Sequence, residues 1–400
     1  MAFSAISTTG LGVVDISSTY SLFGQIVMLV TIQIGGIGYI GLIIIAMGAF
    51  GRGSPFYVAS VAGEAMAGYE TRNLIRFSIL VVTVTVLLEL AGAALLFIPF
   101  METMSDAKAF YFALFHSVNA FCTAGFSTFP DSLTRYAFNP VVNIVINVLS
   151  YIGAIGFIVI YDLVSITRKK MKGQRASISL HSKIVFVSFT GLVLAGTLTL
   201  FCVGPWDPHS GYGHRLVLSL FQSLSASSTD GYNSIDIGAI KPFALIFICL
   251  QMFVGAAPGS TGGGIKTTTF STVLLFQFWQ LKGRGNTVIS LKRREIGKDT
   301  AEKALGIAIW FFVIIFVDLL VLSVSEGQRF SLLSHLFETV SALGNTGLSM
   351  GITSGLSTAG KLALTATMFV GRVGSLGTCR GIRGGGGSGN LGRVPYIRAT

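Results

Sequence analysis

The chain has 400 residues, of which 52% are hydrophobic and only 11% charged, with a mean hydropathy of +0.73 and a formal net charge of +11. A water-soluble domain carries roughly twice that charged fraction, so soluble, disordered and collagen-like classes are excluded and the composition is that of an integral membrane protein. The basic excess does not point to nucleic acid, because most basic residues fall in short loops between apolar spans.

A helix crossing the hydrocarbon core needs about 20 apolar residues. In chain order the predicted spans are 21–49, 73–100, 139–166, 183–204, 241–281 (interrupted) and 303–325. A seventh begins near 359 and stays apolar to Val370. Between them lie apolar stretches at 107–121, 214–227 and 329–343, too short to cross, each ending in a cluster of Ser, Thr and Gly. Non-helical backbone at membrane depth survives only where protein buries it or water lines it, so these read as re-entrant half-helices. Arg52, Arg72 and Arg76, the run Arg168–Lys183, and the run Lys282–Lys303 mark one side as cytoplasmic. Only Lys108, Arg135, Arg215, Lys241, Arg329 and Lys361 face the other. The half-helices therefore enter from outside. The dispersed Cys122, Cys202, Cys249 and Cys379 suggest neither a disulfide framework nor a zinc site. The opening residues, polar and Gly/Thr-rich rather than basic and then apolar, are not expected to form a cleavable signal peptide.

The short segments are copies of one another. LFHSVNAFCTAGF (114–126), LFQSLSASSTDGY (220–232) and LFETVSALGNTGL (336–348) align on one glycine, and MAFSAISTTGL (1–11) supplies a fourth copy. The glycines are Gly10, Gly125, Gly231 and Gly347, and five positions earlier stand Ala5, Ala120, Ala226 and Ala342. Each copy reads as a descending half-helix, a short extended turn and a return outward. Glycine lets backbone carbonyls aim inward, and four such turns on one axis would replace the hydration shell of a cation. The fold expected is an all-α polytopic membrane protein with four pseudo-repeats (span, pore half-helix, filter, span) around a central ion pore, the first span missing. The repeats would be 1–49, 72–166, 183–281 and 303–375, followed by an aberrant Gly/Arg-rich tail, 376–400.

On these residues the chain resembles the Trk/Ktr/HKT superfamily of potassium transporters, over about residues 1–375, and within it the bacterial Ktr-type transmembrane subunit. The resemblance implies a selectivity filter at Thr8, Thr9 and Gly10; Thr123, Ala124 and Gly125; Thr229, Asp230 and Gly231; and Asn345, Thr346 and Gly347. Their backbone carbonyls would hold K+, and glycine in all four copies implies potassium rather than sodium selectivity. It further implies uptake across the bacterial cytoplasmic membrane by a multi-pass homodimer in the lipid bilayer. A cytoplasmic nucleotide-binding regulatory ring would pair with it, and sodium would be a stimulating or symported ion. No covalent cofactor, nucleic-acid partner or enzymatic activity is expected.

Residues 255–269, GAAPGSTGGGIKTTT, interrupt an apolar stretch. Gly255, Pro258, Gly259, Ser260, Thr261, Gly262, Gly263 and Gly264 cannot continue a helix, and Lys266 at membrane depth needs water or a partner. Placed after the third filter, this loop would lie beneath the pore as a gate. The family resemblance adds Arg372, in the last span, as a positive charge facing the pore below the filter. Gly259 to Thr267 nearly spells a phosphate-binding loop, but Ile265 breaks the spacing and no strand precedes it. A passive kink, or a secondary transporter holding a small solute at a broken-helix midplane site, is the alternative.

The remaining candidates are weaker. His116, Gln222 and Glu338 share the position nine before the glycine, which suggests support of the pore helix rather than ion contact. Glu89 and Asp318 lie within spans, where a packing role competes with a functional one. Asp230, one residue before a filter glycine, is expected to attract cations at the outer mouth. No pair of the five histidines has metal-ligand spacing on a helix. The basic loops 167–183 and 282–303 are the candidate docking surface for a cytoplasmic partner. Both ends depart from the family pattern: the chain opens inside the first pore helix, and five arginines with no acid crowd 372–400, as an early truncation and a late frameshift would produce.

Overall fold

The computed structural model describes residues 1–38, 71–206, 211–282, 289–291, 294–296 and 298–381; the side chains of 71–76, 289–300 and 374–381 are not described. The end of the predicted first span, the loop bearing Arg52, several residues of the basic loop 282–303, His209 and the tail beyond 381 lie outside these residues.

The helices in order are α1 (Ala2–Ile6), α2 (Ile16–Thr19), α3 (Leu22–Ile37), α4 (Thr71–Met101), α5 (Asp106–Phe121), α6 (Pro140–Ile155), α7 (Phe157–Met171) and α8 (Leu180–Val203). They continue with α9 (Tyr212–Ser228), α10 (Pro242–Val254), α11 (Thr267–Leu281), α12 (Lys298–Glu326), α13 (Leu332–Gly344) and α14 (Thr358–Gly381). A short antiparallel hairpin, Ile289–Leu291 with Arg294–Ile296, precedes α12. Among the described residues three helical stretches are long and apolar enough to cross a membrane: Phe77–Met101, Leu180–Val203 and Ala301–Glu326. Their outward faces are apolar, with Leu87, Leu198 and Phe316 all more than half exposed, while Ser, Thr, Asn and Glu side chains gather inside. That inversion of the soluble pattern suits a hydrocarbon solvent.

Each long helix leans on the half-helix that follows it and on the next span: α4 on α5 and α6, α8 on α9 and α10, α12 on α13 and α14. The first half-helix, α1, packs on α3 and α14, which closes the circle between the last unit and the first. Aromatic residues fill the gaps, most densely where Phe100, Phe129 and Tyr136 surround His116 and α5.

The half-helices α5, α9 and α13 match the short segments read from the sequence, and α10 and α11 flank the predicted break. Two expectations need correction. The stretch 139–166 is not one continuous span: α6 and α7 meet at Gly156 with a bend of 94°. Gly156 has φ +88, and a Cβ there would meet the Pro258 carbonyl, so loop 255–266 occupies the space a straight helix would need. The last helix also runs on to Gly381, past the expected boundary at 375, although its apolar character fades after Val370.

Candidate functional site

The four glycine turns share one hydrogen-bond pattern. The residue two before each glycine (Thr8, Thr123, Thr229, Asn345) donates its N–H to the matching alanine carbonyl, at 3.1–3.3 Å. The next residue (Thr9, Ala124, Asp230, Thr346) donates to the carbonyl one position further back, on Ser4, Asn119, Ser225 or Ser341, at 2.8–2.9 Å. This pair of bonds is the Schellman helix terminus, which requires a left-handed residue. Thr8, Thr123, Thr229 and Asn345 supply it, with φ of 51, 50, 59 and 50°. Asparagine tolerates that conformation, but a β-branched threonine is strained by about 1–3 kcal/mol and persists only where its surroundings hold it.

The turns also meet one another. A Cβ built on Gly10 would collide with the Ala124 carbonyl, one on Gly125 with that of Asp230, one on Gly231 with that of Thr346, and one on Gly347 with that of Thr9. The contacts run from the first turn to the second, third and fourth and back to the first, so the turns form a closed ring. The C-terminal, partly negative ends of α5, α9 and α13 converge on it.

Loop 255–266 touches all four turns. Thr8 Oγ1 donates to the Thr261 carbonyl at 3.3 Å and Thr123 Oγ1 to Thr261 Oγ1 at 3.1 Å. The Gly263 N–H donates to Thr229 Oγ1 at 2.9 Å, and a Cβ on Gly263 would press on Asn345. The threonines that cap the half-helices are therefore completely buried, covered by the loop. Two cations hold the loop. Arg372 donates to the Thr261 carbonyl at 2.7 Å and to the Gly35 carbonyl of α3, tying α14, α3 and the loop together. Lys266 turns back so that Nζ donates to the Gly262 carbonyl at 2.6 Å, which supplies the partner that an ammonium at this depth needs. On the far side the loop is anchored at the α6–α7 elbow: Ala257 N–H donates to Ala154 O at 2.9 Å, and Phe157 N–H to Gly259 O at 2.8 Å.

A family model described as TrkH, cation transport protein, matches residues 1–379. The chain belongs to the TrkH family. Among its relatives is the Ktr system potassium uptake protein B of Bacillus subtilis, 34% identical over 380 residues that cover 94% of this chain and 83% of that protein. Another is the potassium/sodium uptake protein NtpJ of Enterococcus hirae, 32% identical and covering 93% of this chain and 82% of that protein. The crystal structure of the potassium transporter TrkH from Vibrio parahaemolyticus superposes with a TM-score of 0.71 at 19% identity, over 94% of this chain and 75% of that one, and shares its fold. This TrkH-family chain is a multi-pass membrane protein, and its relatives are transporters rather than enzymes.

Around the ring of the TrkH-family chain, the residues nine before the glycines brace the outgoing strands with different chemistry. His116 Nε2 meets Ser127 Oγ at 3.1 Å, and Gln222 Oε1 accepts from the Ser234 N–H at 3.3 Å. Glu338 accepts from Ser349 Oγ, the Met350 N–H and Thr353 Oγ1 at 2.5, 3.0 and 2.7 Å. Glu89 accepts from Gln33 Nε2 at 3.1 Å and Asp318 from Thr339 Oγ1 at 2.7 Å, so each of these carboxylates joins two helices. Asp230 corrects an expectation. Its side chain is 1% exposed and accepts from Ser150 Oγ of α6 at 2.5 Å, so the carboxylate is enclosed in protein rather than open at an outer mouth.

Proposed function

We propose that this chain takes up potassium across the cytoplasmic membrane through the ring of turns at Gly10, Gly125, Gly231 and Gly347. The observation that carries the reading is the closure of that ring: each glycine lies so close to the next turn's carbonyl that no side chain fits. Twelve peptide groups, from Thr8 to Gly10, Thr123 to Gly125, Thr229 to Gly231 and Asn345 to Gly347, are then available to line one axis, and stacked carbonyls can replace the water of a monovalent cation. The four-repeat organisation, 1–49, 72–166, 183–281 and 303–375, belongs to this reading.

Loop 255–266 is the gate, held closed by Arg372 and by its contacts with the four capping residues. Opening requires those hydrogen bonds to be exchanged for water or for partners in another loop position. The guanidinium also opposes passage of a cation while it stays beneath the ring. Relatives named as parts of a Ktr system support a separate regulatory subunit as partner, and one named a potassium/sodium uptake protein supports a role for sodium; a cytoplasmic nucleotide-binding ring and a homodimeric membrane component complete the proposal. The basic end of α7, Arg168 to Lys172, is the docking candidate among the described residues. The alternative, a small solute held at the break between α10 and α11, loses ground because the polar groups of that loop are already engaged by the turns.

The test is rubidium and potassium uptake by the full chain in cells lacking their own potassium importers, with and without Gly231→Ser. The reading expects rescue of growth at low potassium by the parent and a weakened preference for potassium over sodium in the variant. Sugar or amino-acid uptake with no cation flux overturns it.

A further inference from the structure

We propose that the carboxylate of Asp230 is a selectivity-determining charge whose counter-ion is the cation held in the ring. The inference rests on the ring as the conduction site and goes beyond it by assigning one unequal quadrant.

The residues just before the glycines are Thr9, Ala124, Asp230 and Thr346. All four have the same backbone hydrogen bond and all are buried, so the turn itself does not call for an acid; alanine and threonine build it equally well. Asp230 is nonetheless an acid, and it is 1% exposed. Ser150 Oγ donates to its Oδ2 at 2.5 Å and the Gly125 N–H of the neighbouring turn also bears on the carboxylate, whereas Oδ1 has no hydrogen-bond partner and is sealed from solvent. Among the described residues no basic side chain pairs with it; ion pairs such as Arg135 with Asp131 and Arg329 with Glu326 lie elsewhere. Arg372 and Lys266 are committed to loop carbonyls on the gate side of the ring.

A carboxylate buried without a compensating charge either takes up a proton or is kept ionised by a cation brought close to it. The peptide of Asp230 is itself part of the ring, since its carbonyl abuts Gly125. With no basic side chain paired to it, a dehydrated monovalent cation on the axis is the positive charge open to this carboxylate, through protein rather than water, where screening is weak. Ser150, on α6, aims the carboxylate and joins the third turn to the helix that follows the second. The geometry gives the filter one electrostatically distinct corner, at the junction of the second and third turns.

The experiment uses the full chain in proteoliposomes and reads initial rates of Rb+ influx against Rb+ concentration, with Na+ as competitor. Asp230→Asn keeps the size and removes the charge. It is expected to raise the apparent KM for Rb+ by about tenfold or more, with a much smaller change in Vmax, and to let Na+ compete better. Ser150→Ala keeps the charge and loses the hydrogen bond, and is expected to change KM far less. Should Asp230→Asn elute as aggregate, Asp230→Glu is read instead: a retained low KM supports the proposal and a raised one overturns it. A folded Asp230→Asn with parental KM and Na+ competition, or one indistinguishable from Ser150→Ala, also overturns it. Gly231→Ser in the same assay separates the two claims. If it alters ion preference while Asp230→Asn does not, only the charge assignment fails; if neither does, the ring reading fails too.

Discussion

Removing the side chain of Arg372 is the sharpest probe of the closed arrangement. Its guanidinium donates to the Thr261 carbonyl at 2.7 Å and to the Gly35 carbonyl, so Arg372→Leu deletes two charge-assisted hydrogen bonds that join the loop to α3 and α14. Such bonds contribute about 1.5–3 kcal/mol each. The low end applies, because water reaches both carbonyls once the loop moves, which gives about 3 kcal/mol for the two. At about 1.4 kcal/mol per factor of ten, the closed-to-open ratio falls by about two orders of magnitude. Rb+ influx into K+-loaded proteoliposomes holding the purified chain alone should rise steeply, limited only when the open form dominates. The charge itself also repels a cation, so Arg372→Lys separates the two effects. Lysine keeps the charge but lacks the planar fork that reaches two carbonyls, and it should show most of the increase. An Arg372→Leu variant that elutes like the parent and conducts no faster refutes the clamp; a fast Leu variant beside a parental Lys variant assigns the effect to repulsion.

Two further outcomes follow from the same contacts. Gly156→Ala forces a side chain into φ +88 and against the Pro258 carbonyl, a strain of about 1–3 kcal/mol on the loop's anchor, so basal Rb+ influx should rise and the thermal midpoint should fall; an unchanged influx shows that the elbow does not govern the loop. Glu338→Ala strands the Met350 N–H and the Ser349 and Thr353 hydroxyls, each at about 1–3 kcal/mol, so it should lower the thermal midpoint clearly while leaving the Rb+ to Na+ preference at low temperature near that of the parent.

The half-helices were legible in the sequence because three apolar stretches were too short to cross and each ended in the same small-residue cluster. The glycine register was legible because four aligned copies fix positions that one copy leaves ambiguous. The break at 255–269 announced itself through proline and a run of glycines. The elbow at Gly156 did not. Its sequence, YIGAIGF, is apolar on both sides, and glycine in a hydrophobic run is ordinary in membrane helices; only the loop lying against it forces the bend. The left-handed threonines were equally hidden, since their conformation runs against residue preference and is imposed by the Schellman bonds and the covering loop. Asp230 was visible as an unusual residue, but its orientation depended on Ser150, 80 positions away.

The closed circle of glycines ties the fate of each quarter of the protein to its neighbour. Because the atom that forbids a side chain on one turn belongs to the backbone of the next, a lesion at Gly10 lands on the second turn and a lesion at Gly347 on the first. The four loops share a single fit, like the voussoirs of an arch, and none can drift in sequence without its neighbour giving way. Paired substitutions at adjacent corners are thus bound to be non-additive, and tolerance measured at one corner does not transfer to the others.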